Sequence, residues 1–171
     1  MKKKIICLIV LFIGIVSVMP AQTDQFFFEM NGGVWFYPGV GGKVGWMHFC
    51  FSDKIGLIAD LSYRVLFHTP PGGEMWNSHD LGFAAGIVFN NMGMNGTIRT
   101  SQHIKIKSVY SVSVQEGRDY PEHSFAPCLD AGFRLSVFFN ETTAVFAGVG
   151  IESPIIYPVL SLGMTFSRSG K

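Results

Sequence analysis

Residues 55–67, with the sequence IGLIADLSYRVLF, alternate apolar and polar side chains. The odd positions are apolar throughout, whereas the even positions include Asp60, Ser62 and Arg64. Successive side chains of a β-strand point to opposite faces, so this period of two predicts a strand with one apolar and one polar face. Which of the two faces meets water depends on how the rest of the chain is patterned.

Seven further segments show the same alternation, and helical periodicity is absent after residue 22. The eight candidate strands are roughly 9 to 13 residues long, near the ~9–11 that cross a bilayer at a tilt and above the ~5–6 usual in soluble proteins. We therefore predict an all-β fold of eight strands. The seven segments are FFFEMNGGVWFY (26–37), GVGGKVGWMHFCF (39–51), DLGFAAGIVFN (80–90), HIKIKSVYSVSV (103–114), FAPCLDAGFRLSVFF (125–139), AVFAGVGIE (144–152) and YPVLSLGMTF (157–166).

The polar faces of these strands carry five acids and five bases, and the opposite faces carry almost no charge. A water-soluble barrel would show the reverse, with its charges outward. An outward Lys or Arg at the middle of a bilayer would cost ~2–4 kcal/mol, and closure satisfies every backbone group. We therefore predict an antiparallel up-and-down transmembrane β-barrel with its apolar face outside. The predicted interior charges are Glu29, Lys43, Asp60, Arg64, Asp80, Lys105, Lys107, Asp130, Arg134 and Glu152.

The interior of an eight-stranded barrel is just wide enough for side chains to fill it. Equal numbers of acids and bases therefore predict an ion-pair network. Asp60 and Arg64 lie four residues apart, as do Asp130 and Arg134. Four residues span about 13 Å of a strand, so each of these charges is expected to pair with a neighbouring strand. The alternative is a narrow path for ions lined by the same residues.

The connections between the strands alternate in length. Tight polar turns follow the second, fourth and sixth strands, at residues 51–54, 89–92 and 139–142. Longer segments follow the third and fifth strands, at 68–79 and 115–124. Short turns at one end and long loops at the other are typical of a meander across an outer membrane. The turns are therefore predicted to face the periplasm and the loops the cell surface.

The N-terminus, MKKKIICLIVLFIGIVSVMPAQ, combines lysines, a short apolar run and small polar residues. This order predicts a signal peptide over residues 1–22, followed by a barrel domain over 23–171. No later stretch approaches the ~18 apolar residues of a transmembrane helix. The formal net charge of +1 has no clustered basic face, which argues against a nucleic-acid partner.

Over residues 25–166 the chain resembles the small eight-stranded outer-membrane β-barrels of the OmpA, OmpX and OmpW type. Its last strand, YPVLSLGMTF, resembles the C-terminal signal read by the barrel assembly machinery, through Gly163, Met164 and Phe166. The chain departs from this signal in its SRSGK tail, because the signal usually ends at the aromatic residue. The resemblance implies the outer membrane of a two-membrane bacterium, with its lipids and the assembly machinery as partners. No cofactor is expected.

This resemblance leaves the activity open among three classes. The first is a structural role or contact with a host or environmental ligand through loops 68–79 and 115–124. The second is a small pore or a conduit for ions or small hydrophobic molecules. The third is a lipid-modifying enzyme, and a zinc site formed by three of the histidines is weighed beside it; we predict neither. The residues that these last two ideas would use are His68, Glu74, Ser78, His79, Asp80, Glu122, His123 and Ser124.

Two smaller expectations concern cysteines and aromatic residues. Cys50 and Cys128 are predicted near opposite ends of the barrel, too far apart for the ~7 Å limit of a disulfide, so both thiols are expected to be free. Aromatic residues near strand ends are expected to anchor the barrel at the membrane interfaces. They are Trp35, Tyr37, Trp46, Phe51, Phe89, Phe139 and Tyr157.

Overall fold

The structure, a computed structural model, describes residues 23–33, 38–52, 54–68, 76–92, 97–115, 121–153 and 157–169. The predicted signal peptide lies outside this part of the chain, as do Trp35 and Tyr37. Within it no helix is long and apolar enough to cross a membrane. The strands are β1 (Thr23–Gly33), β2 (Gly39–Ser52), β3 (Ile55–His68), β4 (Trp76–Met92), β5 (Ile98–Gln115), β6 (Glu122–Phe138), β7 (Thr143–Glu152) and β8 (Tyr157–Ser169).

The eight strands form a closed antiparallel barrel in which each strand pairs with the next in sequence. The seam joins β1 to β8, from Thr23 opposite Ser169 to Gly33 opposite Val159. Closure removes the free sheet edge over the stretch where all eight strands are paired, so the backbone groups there find partners within the barrel. The predicted fold class, an eight-stranded up-and-down barrel, is confirmed.

Several strands are longer than predicted and run from 10 residues in β7 to 18 in β5. The turn predicted at Phe89–Met92 is wrong, because Asn90 and Asn91 pair with Ser101 and Thr100 and continue β4. The ends of both predicted loops also belong to strands, since β4 begins at Trp76 and β6 at Glu122. Polar residues can continue a strand wherever a neighbouring strand supplies hydrogen bonds, so polarity alone did not mark these ends.

The turn predicted at residues 139–142 is confirmed between β6 and β7. The side-chain oxygen of Asn140 accepts hydrogen bonds from the backbone N–H groups of Thr142 (2.9 Å) and Thr143 (2.7 Å). It also accepts one from the hydroxyl of Thr142 at 3.0 Å. Asn favours such turns because its side chain can replace a backbone acceptor. This side chain therefore supports the turn together with the backbone hydrogen bond from the Phe139 N–H to the Thr143 carbonyl at 3.0 Å.

The outer face of the barrel is apolar, as the alternation predicts. Met30 is 77% exposed and Ile106 71% exposed, although both lie in the middle of strands. Such a continuous exposed apolar surface is rare on soluble monomers and marks a membrane or protein contact. Other exposed members of this surface include Phe26, Phe28, Val44, Leu61, Leu81, Phe83, Ile104, Leu129, Val149, Leu160 and Leu162.

The turn end of the interior holds an apolar cluster that the alternation did not predict. Its members are inward-facing and at most 4% exposed. Two aromatic rings fit because glycines lie beside them: a Cβ on Gly45 would come within 2.3 Å of the Phe27 ring, and one on Gly163 within 2.4 Å of the Phe146 ring. The cluster closes this end of the barrel with side chains. It consists of Phe27, Met47, Phe49, Ile58, Val88 and Phe146.

Candidate functional site

The charged residues predicted for the interior lie inside the barrel, on the loop side of the apolar cluster. Nine of them are buried, and the side chain of Arg64 is 14% exposed. Their positions follow from strand parity, since each alternates with an exposed apolar neighbour. In β5, for example, Lys105 is 0% exposed and Ile106 71% exposed, and Lys107 is 3% exposed. The nine are Glu29, Lys43, Asp60, Asp80, Lys105, Lys107, Asp130, Arg134 and Glu152.

Three ion pairs join residues that stand directly opposite each other on neighbouring strands. Lys105 and Asp130 are opposed in β5 and β6, and their charged atoms lie 3.0 Å apart. The second pair, in β3 and β4, places Arg64 Nη2 3.2 Å from Asp80 Oδ2. The third joins Glu29 of β1 and Lys43 of β2 at 3.6 Å. Opposite charges at such positions stabilise a sheet pair and fix its register.

Other ion pairs cross the barrel and skip at least one strand. Lys105 Nζ donates to Asp60 Oδ2 at 2.7 Å, between β5 and β3. Arg134 Nη2 donates to Glu29 Oε2 at 2.6 Å, between β6 and β1. Asp60 and Arg134 therefore do not pair with neighbouring strands in the described structure, and that prediction is wrong for both. The narrow interior is the reason, because long side chains can reach across it.

Lys43 and Glu152 connect the opposite walls of the barrel. Lys43 Nζ lies 3.1 Å from Asp130 and 3.4 Å from Glu152, so β2 is linked to both β6 and β7. Glu152 also accepts hydrogen bonds from Arg64 at 2.8 Å and from Lys107 at 3.0 Å. These contacts join five strands through two side chains. A connected network of this kind leaves few buried charges without a partner.

His103 belongs to this cluster and is not among the predicted interior residues. It is 8% exposed, and its Nε2 lies 3.1 Å from Asp130 Oδ1. The signal was present, because His103 shares the inward parity of Lys105 and Lys107 in β5. It was passed over because histidine is uncharged in a formal charge count.

Arg134 marks the boundary between the charged region and the apolar cluster. Its guanidinium carbon lies 4.2 Å from the centre of the Phe27 ring and 4.7 Å from that of Phe146. A guanidinium over aromatic faces is attracted by the ring quadrupoles, most strongly where water is excluded. The Arg134 side chain is 3% exposed, and it contacts both the Glu29 carboxylate and the two aromatic rings.

The charged region is filled with side chains. A cavity of about 20 Å³ lies among Glu29, Lys43, His103 and Asp130, and another of about 10 Å³ lies nearer the turns. A water molecule needs roughly 10–15 Å³, so the larger cavity has room for one or two waters and the smaller for about one. The side chains of Lys105 and Asp60 are both 0% exposed, which means that water does not reach this pair.

The residues considered for catalysis are only partly brought together. His68 and Ser78 both face inward, with 3.1 Å between Nε2 and Oγ, and His68 stacks on the Trp76 ring at 3.5 Å. Asp80 does not join them, since its carboxylate accepts hydrogen bonds from Arg64 and Ser111. Glu74 lies outside the described residues. Glu122 and Ser124 are exposed at the start of β6.

The histidines considered for zinc lie on different faces of the barrel. His68 is inside, whereas His79 and His123 face outward, each with Nδ1 2.7 Å from a tyrosine hydroxyl, that of Tyr63 and of Tyr110 respectively. In β3, β4 and β6 alike the even-numbered positions face inward, so the odd-numbered His79 and His123 cannot join His68, and these three described side chains do not form a zinc site. The two tyrosine–histidine pairs were not predicted. They lie at the loop end of the outer face.

The predicted aromatic anchors differ in the face of the barrel that they occupy. Phe89 and Phe139 are exposed on the outside, at 39% and 68%. Tyr157 instead faces inward, where its ring lies 4.9 Å from the guanidinium carbon of Arg64, so its predicted anchoring role is wrong. Trp46 faces outward and donates a hydrogen bond to Asp24 at 3.1 Å. The side chain of Phe51 is outside the described set.

The residues of the C-terminal signal differ in orientation. Met164 and Phe166 face outward, and Phe166 meets Phe28 edge to face at 6.2 Å between ring centres. Gly163 faces inward beside Phe146. Cys128 carries a free thiol on the inner wall of β6, and the side chain of Cys50 is not among those described.

Comparison with known proteins identifies similar folds and no similar sequences. No family model and no curated protein matches the sequence significantly. A major outer membrane protein from Thermus thermophilus aligns with a TM-score of 0.60 and 10% identity, over 85% of this chain and 99% of that one. The neisserial surface protein NspA aligns with a TM-score of 0.57 and 10% identity, over 84% and 95% of the two chains.

A third similar structure is that of Ail, the attachment invasion locus protein of Yersinia pestis, in complex with the heparin analogue sucrose octasulfate. It aligns with a TM-score of 0.56 and 10% identity, over 86% of this chain and 99% of that one. All three alignments span nearly the whole of the compared chain, so the likeness extends over the complete barrel. The protein therefore has the fold of the small eight-stranded outer-membrane β-barrels.

Proposed function

We propose that the protein is an integral outer-membrane β-barrel with a structural or surface-contact role, and that its interior is a closed ion-pair network. One observation carries the proposal: in β5, Lys105 is fully buried inside the barrel while the adjacent Ile106 is 71% exposed outside. This distribution is the inverse of that in a water-soluble barrel. It suits a chain whose outside meets lipid.

The orientation that we propose rests on the unequal lengths of the connections at the two ends of the barrel. Residues 1–22 act as a signal peptide and residues 23–171 form the membrane domain, with the N-terminus and the short turns in the periplasm. The longer connections, which lie within the predicted loops 68–79 and 115–124, face the outside of the cell. Lipids surround the outer face, and the barrel assembly machinery reads Gly163, Met164 and Phe166 in β8.

The interior supports a closed barrel rather than a pore. A conducting path lined by Lys105 and Asp60 would leave these side chains wet, yet both are 0% exposed. Two cavities of about 20 and 10 Å³ among the described interior residues have room for one or two waters rather than for a continuous column. The apolar cluster at the turn end adds a second barrier. Ions would have to break several buried pairs to pass.

Planar-bilayer conductance tests this proposal directly. Residues 23–171 are refolded in detergent, a heat-modifiable gel shift confirms that the barrel has formed, and the protein is added to the bilayer. We expect no channel steps, while a known porin in the same bilayer gives steps and verifies the detection. Discrete, reproducible steps from the folded barrel would overturn the closed interior and favour the small pore.

The surface-contact role is assigned to loops 68–79 and 115–124. Supporting it, Ail has the same fold and was crystallised with a sulfated sugar analogue. Replacement of residues 69–75 and 116–120 by Gly-Ser segments of equal length should abolish adhesion of expressing cells to a surface coated with host or environmental material. A matched replacement in the turn at 140–142 should leave adhesion unchanged. Equal adhesion by all three strains would remove the loops from the proposal.

We also propose that the barrel has no catalytic activity. The Ser78–His68 contact lies inside the barrel, and the nearby Asp80 carboxylate is held by Arg64 and Ser111 instead of orienting the imidazole. A serine nucleophile needs a base that is itself oriented by a third group. Ser78→Ala should therefore leave the composition of the outer-membrane lipids unchanged in mass spectra of expressing cells.

A further inference from the structure

The turn end of the interior contains a small polar pocket with two arginines. The cavity of about 10 Å³ lies on the turn side of Arg134 and is bordered by Arg99 from β5. The remaining polar wall is neutral, and none of the described residues that line it is a carboxylate. The pocket therefore differs from the charged region on the loop side, where the described lysines and arginines face acids. Its neutral polar wall includes Gln25, Ser101, Ser136 and Thr165.

Both arginines present unused donors in this region. Nε and Nη1 of Arg134 and Nε of Arg99 are buried, and no residue of the described chain accepts a hydrogen bond from them. Arg134 as a whole is 3% exposed. Leaving buried donors on a charged group unsatisfied is costly, and native structures nearly always supply a partner. The partner must be something other than the described protein atoms.

Aromatic rings fix where these donors lie. The guanidinium carbon of Arg99 lies 4.3 Å from the centre of the Phe138 ring. Arg134 lies in the same way against Phe27 and Phe146. Two guanidinium groups held by rings beside one cavity form a site that is organised before any ligand arrives. Such preorganisation lowers the entropic cost of binding.

The charges of the interior point to the sign of the missing partner. The ten predicted interior charges balance as five acids and five bases. Arg99 is an additional cation on the inner face, and it makes no ion pair with the described residues. The interior as described thus carries one positive charge in excess. One monovalent anion next to Arg99 would neutralise it.

We propose that this pocket binds one small inorganic anion, a halide such as chloride, between Arg99 and Arg134. Its volume of about 10 Å³ is close to that of one water-sized sphere, so a monatomic anion is near the size of the pocket and a phosphate or sulfate is far too large. The larger cavity near Lys43 contrasts with it, because Glu29, Asp130 and Glu152 line that space and would repel an anion. The inference is independent of whether the barrel conducts or adheres.

Unfolding at constant ionic strength tests the site. The refolded barrel is heated in detergent while chloride is replaced stepwise by gluconate, which is too large to enter. The unfolding temperature should rise with chloride and level off, as expected for a ligand that binds the folded state. Arg99→Gln should remove this saturable rise. Arg168→Gln changes an exposed arginine of β8 at the same end of the barrel as the pocket, and this variant should retain the rise.

Two outcomes of the unfolding measurement would overturn the proposal. One is an unfolding temperature that does not depend on chloride, and the other is the same dependence in Arg99→Gln as in the unaltered protein. Crystals grown in bromide supply a second measurement that needs no variant. An anomalous peak within hydrogen-bond distance of Arg99 and Arg134 is expected. A water peak there without anomalous signal would show that the pocket holds water instead.

Discussion

Asp130 shows how one buried side chain connects several strands. Its carboxylate lies 3.1 Å from Lys43 in β2, 3.0 Å from Lys105 in β5 and 3.1 Å from His103, also in β5. The residue itself is in β6 and is 3% exposed. Neutralising one member of such a group leaves its partners charged and buried. The cost of the change is therefore set by the partners that remain.

Asp130→Asn should lower the free energy of unfolding by about 3–5 kcal/mol, because two buried lysines lose a shared counter-charge. Urea unfolding of the refolded barrel in lipid vesicles measures it. Glu141→Gln is the matched control, since Glu141 is exposed in a turn. The control should be within about 0.5 kcal/mol of the unaltered protein. A variant at Asp130 that unfolds like the control would contradict a structural role for the network.

The positions of the charged residues were predictable, and most of their partners were not. Strand parity alone placed Glu29 and Arg134 on the inner face. Their contact joins residues 105 positions apart in the sequence, and only the closed barrel brings β1 and β6 within reach. Tyr157 shows the limit at a strand end, because this aromatic residue is predicted to anchor the barrel in the membrane and instead faces Arg64. Parity gives the face of a side chain, and barrel diameter decides what it meets.

Among the elements, the turn between β6 and β7 is supported by the side chain of Asn140. Asn140→Ala removes the acceptor of the Thr142 and Thr143 N–H groups. These bonds are exposed, so water replaces part of them, and we expect a loss of about 1 kcal/mol in the free energy of unfolding. Urea unfolding in vesicles measures the change. Glu141→Ala, one residue along, should have a smaller effect, and equal effects would contradict the assigned role of Asn140.

Strand β8 combines a packing residue with a proposed recognition residue. Gly163→Val should impair folding both in detergent and in cells, because the valine side chain would collide with the Phe146 ring and the backbone of Phe28. Phe166→Ala removes an outward ring that is 40% exposed. This variant should refold in detergent nearly as well as the unaltered chain, yet assemble poorly in cells.

Gel mobility before and after heating measures both of these variants, once for refolded protein and once for isolated membranes. Normal assembly of Phe166→Ala in cells would remove this residue from the proposed signal. Efficient refolding of Gly163→Val would contradict the close packing of β8 on Phe146. The two results separate an effect on the assembly machinery from an effect on the barrel itself.

The existence of the strands was predictable, and their ends were less so. Alternation identified all eight, including the weakly patterned β2. It failed at Asn90 and Asn91, which have turn-forming side chains and yet pair with β5. The apolar cluster was missed for a related reason: residues such as Phe27 and Phe28 place apolar side chains on both faces, so the pattern does not show that the interior is apolar there.

For the whole molecule, the outward direction of the apolar face is the property that most needs testing. Ile106→Arg places a charge at a strand centre whose side chain is 71% exposed. In vesicles it should lower the free energy of unfolding by ~2–4 kcal/mol if that face meets the middle of the bilayer. Asn91→Arg, at the turn end of the same outer surface, is the matched control and should cost ~0–1 kcal/mol. Equal costs would contradict a membrane-facing belt.

The seam between β1 and β8 has a consequence for the timing of folding. Thr23, in the first strand, pairs with Ser169, in the last, so the earliest part of the chain waits for the final part to be made. Until then both ends of the growing sheet expose unpaired backbone and can pair with other chains. The barrel therefore cannot be completed piece by piece during synthesis. How long the chain stays unfinished should set its exposure to proteases, and hence how much of it survives to form the barrel.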